Sequence, residues 1–301
     1  MHRLKNLLKA CLLTIIFAGL ISSASAQQVP AGVQFERDIE YTNPDNQHLQ
    51  LNMARPKKGS GPFPAIVCIH GGGFRAGSRE GYNKLCMTLA EEGYVAVTVT
   101  YRLAPKYQFP AAVHDVKAAV RWMRANAKKY NIDANRIGTT GGSAGGHLAQ
   151  FLAVTGGVKQ FEGTGGNEKF FSSVNCVVNY FGPSDLTKSY DASVDAAEVL
   201  PLFLGGNLQQ ERHRHIIASP LYWATPAAAP TLCIQGTEDR YVAYEQAVWM
   251  IDRLKACDVE AKLMTIAGAD HGFRGASPEV KADIEQARLD FFDKHLTPKK
   301  P

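Results

Sequence analysis

The sequence predicts an α/β fold in which helices cover both faces of a mostly parallel central sheet. Short apolar runs, typical of strands buried on both faces, alternate with longer segments of helical periodicity. This alternation indicates βαβ units, whose strands lie parallel. At residues 141–146 a strand-like run turns sharply into a helix-like segment, with a serine between glycines. With 301 residues, 45% hydrophobic and 20% charged, the chain can bury a large core.

The opening of the sheet is predicted to be antiparallel. Residues 35–41 alternate between apolar and polar side chains, turn-forming residues follow at 43–46, and 49–53 can pair back. The later elements are expected, in chain order, at strand 65–69, helix 82–92, strand 94–100, helix 111–130, strand 136–140, helix 147–153, strand 174–181, strand 231–235, helix 244–257, strand 261–266 and helix 280–295. The alternation therefore continues almost to the end of the chain.

Residues 183–229 break this rhythm. They contain several prolines, no clear strand and only a polar helix-like patch at 209–216. We expect them to form a small cap-like insertion over the active site of a single domain spanning 27–301. Their apolar side chains could form an aromatic, sugar-stacking wall or simply pack the insertion; they are Leu202, Phe203, Leu221, Tyr222 and Trp223.

The first 26 residues are predicted to be a signal peptide. Basic residues precede an apolar run at 11–21, and Ala24-Ser25-Ala26 fits the small-residue cleavage rule. The run is short for a permanent anchor, so we expect no stable membrane attachment. Cleavage after Ala26 lowers the formal charge from +5 to +2, because it removes three basic residues and no acid. We expect export to the periplasm or the medium.

Charge and cysteine usage exclude several kinds of partner. No run of Lys or Arg occurs beyond Lys299-Lys300, so nucleic acid is a poor candidate. No C-x-x-C or His/Cys ligand spacing is present, so neither a zinc site nor a disulfide framework is indicated. The sequence does not decide whether Cys86 and Cys257 form a disulfide, nor does it give the oligomeric state.

The G-x-S-x-G pattern within residues 141–146 predicts a nucleophile elbow. In such a turn the serine adopts a strained backbone conformation that lifts its hydroxyl outward. Small neighbours are needed because the strand and the helix pass close together. The N-terminus of the following helix favours negative charge that develops near the serine. Ser143 is therefore the predicted nucleophile.

A serine hydroxyl needs a base, and the base needs an orienting carboxylate. His271 and Asp239 each follow a predicted strand, and ligands bind at the carboxyl ends of strands in open α/β sheets. We therefore predict a Ser143–His271–Asp239 triad, in the chain order Ser, acid, His that one class of serine hydrolases uses. Glu238 is the realistic rival for the acid. Asp270 is a weaker one, because a residue adjacent to the base rarely has the geometry to orient its ring.

An oxyanion hole is predicted from backbone N–H groups. The glycine run 71–73 follows a predicted strand, and the residue after the serine begins a helix. We expect Gly72, Gly73 and Ala144 to donate to the oxyanion of a tetrahedral intermediate. His70, which heads the glycine run, is expected to brace this loop and not to act as the base.

Together these residues resemble the α/β-hydrolase superfamily, on the branch that contains hormone-sensitive-lipase-like esterases. The matching stretches are 70–73, 101–105 with 109–112, 141–146, 236–239 and 270–273. Gly142 departs from that branch, where an acidic residue commonly precedes the serine, and the insertion is short. In these respects the chain is more similar to secreted acetyl-xylan and feruloyl esterases, which deacylate plant polysaccharides.

The resemblance implies the α/β-hydrolase fold and a two-step acyl transfer through an acyl-enzyme, with no metal or organic cofactor. It implies a secreted serine esterase for short-chain or aromatic esters, such as acetyl or feruloyl groups on polysaccharides. Small lipid esters are the alternative substrate. A prolyl-oligopeptidase-type peptidase is disfavoured, because it would usually carry a large N-terminal propeller for which residues 27–301 have no room. An arylformamidase-like amidase is disfavoured by the predicted signal peptide. A non-catalytic binding module would normally have lost the serine or the histidine.

Overall fold

The computed structural model describes residues 28–297, in which eight strands form one sheet. The strands are β1 (Val33–Thr42), β2 (Leu49–Pro56), β3 (Phe63–Ile69), β4 (Val95–Val99), β5 (Ile132–Gly142), β6 (Cys176–Tyr180), β7 (Thr231–Gly236) and β8 (Ala261–Ile266). The helices are α1 (Asn83–Glu91), α2 (Ala111–Ala125), α3 (Ala127–Tyr130), α4 (Ala144–Val154), α5 (Ala196–Leu204), α6 (Arg212–Ile217), α7 (Tyr244–Lys255) and α8 (Pro278–Leu296).

The order of strands across the sheet is β1-β2-β4-β3-β5-β6-β7-β8. Strand β2 is antiparallel to both β1 and β4, and the remaining neighbours are parallel. The predicted α/β-hydrolase fold, with its antiparallel opening, is therefore confirmed. After β3 the chain adds β4 on one side and then returns to place β5 on the other. Such a reversal opens a crevice between the loops that leave β3 and β5.

The two faces of the sheet carry separate apolar cores. Along β3, successive residues such as Val67 and Cys68 point to opposite faces, as the two-residue period of a strand requires. One core packs against α2, α4 and α7, and the other packs against α1 and α8. Because both faces are covered, strands such as β3 and β4 are almost entirely apolar instead of alternating.

Helix α5 lies in the insertion and was not predicted from the sequence. Its buried residues recur at helical spacing: Ala196, Val199, Leu200, Phe203 and Leu204. Pro201 inside the helix obscured this signal, because proline removes a backbone donor and usually marks a helix end. The polar helix expected at 209–216 forms as α6.

The predicted signal peptide and its cleavage site after Ala26 lie outside the described residues. Among residues 28–297, no helix combines the length and the apolar character that crossing a bilayer requires.

Candidate active site

The turn between β5 and α4 has the geometry of a nucleophile elbow. Ser143 is the only residue between the end of the strand and the start of the helix, with φ 57° and ψ −123°. A side chain at Gly145 would collide with the backbone carbonyl oxygen of Ile69, which shows why a glycine is needed where helix and sheet meet. The serine backbone is held by its own N–H, which donates to the carbonyl of Tyr180 at 2.9 Å.

Gly142 has a steric explanation. A Cβ at this position would lie 2.8 Å from the Tyr82 hydroxyl and 3.1 Å from the ring of Phe181. These two aromatic side chains occupy the space into which an acidic residue before Ser143 would extend. The departure from the hormone-sensitive-lipase-like pattern is therefore built into the packing beside the elbow.

The imidazole of His271 is held by a buried carboxylate. Its Nδ1 lies 2.8 Å and 3.1 Å from the two carboxylate oxygens of Asp239, which is only 7% exposed. Asp239 also accepts hydrogen bonds from the backbone N–H groups of Tyr241 and Val242 at 2.9 Å and from Gln235 Nε2 at 3.1 Å. Four donors therefore fix the carboxylate in the orientation that a catalytic imidazole requires.

The two rival acids do not contact this ring. Glu238 is exposed, and no hydrogen bond links it to His271 within the described chain. Asp270 accepts the backbone N–H of His271 at 2.7 Å and forms ion pairs with Arg240 and Arg274 at 2.9 Å and 3.0 Å. That N–H and the two guanidinium groups lower the pKa of Asp270. Asp270 therefore shapes the loop and does not orient the imidazole.

No hydrogen bond joins the hydroxyl of Ser143 to the imidazole of His271 within residues 28–297. Tyr241 connects them: its side chain lines the cavity of Ser143, and its ring centroid lies 5.1 Å from that of His271. Hydrogen bonds between a nucleophile and its base are often long until substrate binds. The arrangement is thus compatible with general-base activation of the serine.

The predicted oxyanion donors lie beside the serine. Gly72 and Gly73 have φ values of 118° and 58°, which aim their N–H groups in directions that other residues rarely allow. In the described backbone, neither of these N–H groups nor that of Ala144 donates to a carbonyl. Gly73 and Ala144 line the same cavity as Ser143. Free donors around one cavity are what an oxyanion hole requires.

His70 supports the glycine loop. Its Nδ1 donates to the carbonyl of Gly71 at 2.8 Å, and its ring stacks on Tyr101 with centroids 4.3 Å apart. Burial lowers the pKa of His70, so the ring is neutral at neutral pH. Burial likewise lowers the pKa of His147, behind the elbow, to about 4. Neither ring is held by a carboxylate as His271 is.

Four residues around the site have positive φ values although none of them is glycine: Phe74, Ser143, Phe181 and Phe273. Each such conformation costs on the order of 1–3 kcal/mol, and the surrounding packing must impose it. Phe74 is held by Phe203, with stacked centroids 3.8 Å apart, and Phe181 lies 4.6 Å from the ring of His271. Strained backbone therefore occurs where the candidate catalytic groups meet, and there it includes three phenylalanines.

A cavity of about 70 Å³ lies against Ser143. The insertion supplies much of its wall, chiefly the apolar side chains of Leu186, Val199 and Leu200. The sequence analysis did not identify these residues, because the helix that carries two of them was not predicted. Tyr241 completes the wall near the imidazole.

The apolar residues that could have formed an aromatic wall pack the insertion instead. Phe203 is buried against Phe74, and the ring of Trp223 lies 4.9 Å from that of Phe161. Tyr222 donates to the buried carboxylate of Asp185 at 3.0 Å and is itself 47% exposed, so it lies at the surface of the insertion. None of these five side chains lines the cavity of Ser143.

Cys86 and Cys257 do not form a disulfide. Both are free thiols in the structure. Cys86 is a buried residue of α1, whereas the Sγ of Cys257 lies 3.5 Å from the carbonyl oxygen of Ala224.

The fold and the Ser143 elbow define an α/β-hydrolase. The BD-FAE family matches residues 51–254. The chain therefore belongs to the BD-FAE family, and the resemblance to α/β-hydrolase esterases is confirmed.

Curated proteins with sequences similar to this chain are named as esterases or ester hydrolases. Esterase LipC of Mycobacterium tuberculosis is 34% identical over 220 residues, which are 70% of this chain and 53% of that protein. The ethyl acetate hydrolase of Pseudomonas putida is 37% identical over 119 residues, which are 38% of this chain and 37% of that protein. The chain thus spans about half, or less, of the length of the curated relatives it matches.

Solved structures of similar fold include two esterases. A carbohydrate esterase from gut microbiota superposes with a TM-score of 0.77 at 26% identity, covering 88% of this chain and 97% of that one. A thermophilic esterase from Thermogutta terrifontis superposes with a TM-score of 0.73 at 26% identity, covering 90% and 96%. That esterase has also been solved with propionate and with butyrate bound.

Proposed function

We propose that the protein is an exported serine esterase that removes short acyl groups, chiefly acetyl, from polysaccharides. One observation carries the proposal: an elbow serine lines an apolar cavity, and an imidazole bonded to a buried carboxylate packs against Tyr241 in the wall of that cavity. The resemblance to esterases supports the reaction class. The gut carbohydrate esterase, with its similar fold, supports a carbohydrate as the alcohol.

Each residue has one role in the reaction. The Oγ of Ser143 attacks the ester carbonyl while Nε2 of His271 takes its proton, and Asp239 stabilises the imidazolium. The N–H groups of Gly72, Gly73 and Ala144 donate hydrogen bonds to the oxyanion of the tetrahedral intermediate. His271 then gives the proton to the leaving alcohol. Water, deprotonated by the same imidazole, cleaves the acyl-enzyme and releases the acid.

The size of the cavity favours short acyl groups. The cavity, with a volume of about 70 Å³, is the smallest of the depressions described around the sheet and has apolar walls. Acetyl to butyryl groups fit within Leu186, Val199 and Leu200, whereas a feruloyl group, with its substituted ring, is much larger. We therefore favour acetyl over feruloyl esters.

The experiment is a comparison of kcat/KM for purified residues 27–301 on p-nitrophenyl acetate, p-nitrophenyl decanoate, methyl ferulate and acetylated xylan. We expect acetate to be preferred over decanoate by about 100-fold or more, because the longer chain cannot enter the cavity. We also expect acetate release from the polymer. A preference for decanoate without polymer activity would instead identify a lipid-directed carboxylesterase. Inactivity on all four esters would contradict the esterase assignment.

Export is proposed from the N-terminal sequence alone. If residues 1–26 are a signal peptide, full-length protein expressed in a secreting bacterium should be recovered outside the cytoplasm with Gln27 as its first residue. Intact-mass measurement of the recovered protein checks this. A cytoplasmic protein that retains residues 1–26 would contradict it.

A further inference from the structure

Two further cavities, separate from the Ser143 cavity, lie between α1 and α8. One has a volume of about 250 Å³ and the other of about 300 Å³. They share three lining residues, Tyr180, Glu285 and Arg288, so they form two halves of one depression, here called the α1–α8 groove. The first half reaches Phe273, and the second half reaches Tyr82.

Arg288 in this groove is a buried cation without a carboxylate partner. It is only 5% exposed, and no acidic group among residues 28–297 lies within ion-pair distance of it. Its Nη1 donates to the hydroxyl of Tyr180 at 3.2 Å, and its Nε is buried with no hydrogen-bond partner. Burying an unpaired charge costs several kcal/mol, so buried arginines normally face an anion. Within residues 28–297 no side chain neutralises the positive charge of Arg288, so an anionic ligand in the groove could do so.

The charges at the rim favour a negative ligand. Lys84 on α1 and Lys281 on α8 are both exposed and line the groove. Glu285 is the one acidic residue among the lining residues, and it is exposed to solvent. Three cations and one solvated acid give the groove a net positive potential.

The groove lies close to the candidate catalytic groups. Tyr82, in its wall, has its hydroxyl 2.8 Å from where a Cβ of Gly142 would be, directly before the nucleophile. Phe181, in the wall of the other half, packs 4.6 Å from the imidazole of His271. One layer of aromatic side chains therefore separates the groove from the site of ester cleavage.

We propose that the α1–α8 groove binds a carboxylate-bearing sugar of the acylated polysaccharide, with the carboxylate on Arg288. A guanidinium forms charge-assisted hydrogen bonds with a carboxylate, which are shorter and stronger than those between neutral groups. The aromatic side chains of Tyr82, Phe181 and Phe273 give apolar faces against which a sugar ring can pack. The part of this proposal that concerns the ester substrate rests on the proposed function, whereas binding of the acidic sugar does not.

The first experiment measures binding and not catalysis. Titration calorimetry with sodium galacturonate, neutral galactose and inorganic phosphate is carried out on the mature protein at low ionic strength. We expect galacturonate to bind about tenfold or more tightly than galactose, because only the former pairs with the guanidinium. Equal binding of the two sugars would overturn the proposal. Phosphate binding without galacturonate binding would also overturn it, since the site would then recognise an anion without a sugar.

Two variants and a control locate the binding. Arg288→Gln should abolish detectable galacturonate binding, and Lys281→Glu should weaken it about tenfold by reversing a rim charge. Lys281 is exposed, so that variant tests the groove even if Arg288→Gln fails to fold. Lys255→Ala, in an exposed helical lysine on the opposite face of the sheet, should bind as the wild type does. Wild-type affinity in Lys281→Glu would overturn the assignment to this groove.

A second measurement links the groove to the reaction. The kcat/KM ratio for acetylated galacturonan over acetylated xylan should fall in Lys281→Glu, with activity on p-nitrophenyl acetate unchanged. If the wild type binds galacturonate but hydrolyses no ester, the proposed function fails while the binding site stands. If it hydrolyses esters without binding galacturonate, the groove proposal fails alone.

Discussion

Replacing Ser143 with alanine is expected to lower kcat for p-nitrophenyl acetate by about 10⁵-fold or more, the scale seen when a serine hydrolase loses its nucleophile. The effect is this large because the other serines that line the cavity, Ser189 and Ser193, are not at the elbow and donate their hydroxyls to groups of the insertion. The serine occupies the turn between β5 and α4 with its hydroxyl free, so the fold should survive the change. Thermal unfolding of the variant, measured beside its activity, separates lost chemistry from lost structure.

The matched control is Ser189→Ala. Ser189 lines the same cavity, but its hydroxyl donates to the backbone carbonyl of Asp185 at 3.2 Å and lies in the insertion. We expect this variant to keep activity within about threefold of the wild type, since it removes only two long hydrogen bonds, to Asp185 and from Gln246, each worth about 1 kcal/mol or less. If Ser143→Ala kept more than a few per cent of the wild-type rate, the nucleophile would have to be sought elsewhere.

Replacing Asp239 with asparagine is expected to lower kcat/KM by about 10⁴-fold, as an amide in this position stabilises the wrong imidazole tautomer. The carboxylate accepts from Nδ1 of His271, and an amide that donates there would turn the protonated nitrogen towards the serine. The imidazolium formed during the reaction would also lose its counter-charge. Steady-state kinetics on p-nitrophenyl acetate, with folding checked by thermal unfolding, measures the loss.

Glu238→Gln is the control for this variant. It removes the same charge from the adjacent residue, but Glu238 is exposed and forms no hydrogen bond with the imidazole among the described residues. We expect a change of about twofold or less, because exposed charges exert weak, screened effects. A larger loss for Glu238→Gln than for Asp239→Asn would assign the acid to position 238.

Local sequence signals were sufficient for most of the sheet. The apolar run 65–69 is short and continuous, which is typical of a strand buried on both faces. The elbow could be identified as well, because its glycines are required by contacts between the strand and the helix that immediately follow each other in the chain. The choice between Glu238 and Asp239 could not be made with certainty, since burial and hydrogen bonding of a loop residue depend on the turn that carries it.

The insertion shows the limit of local signals. Pro201 suggested the end of a helix, yet α5 continues through it because Val199 and Phe203 pack tightly on the loop beside Ser143. Tertiary packing outweighed the local preference at that residue. The acyl cavity could therefore not be described before the insertion was placed.

The sequence by itself determined the α/β class and the strand that leads into Ser143, since both depend on residues close together in the chain. It also predicted the candidate triad, because Asp239 and His271 each follow a strand-like run. Only the tertiary structure decided which acid holds His271, which side chains surround the acyl cavity and how Arg288 comes to lie buried beside Tyr180. The physical reason is distance along the chain. Arg288 and Tyr180 are 108 residues apart, and only the complete sheet with α8 packed on it brings them together.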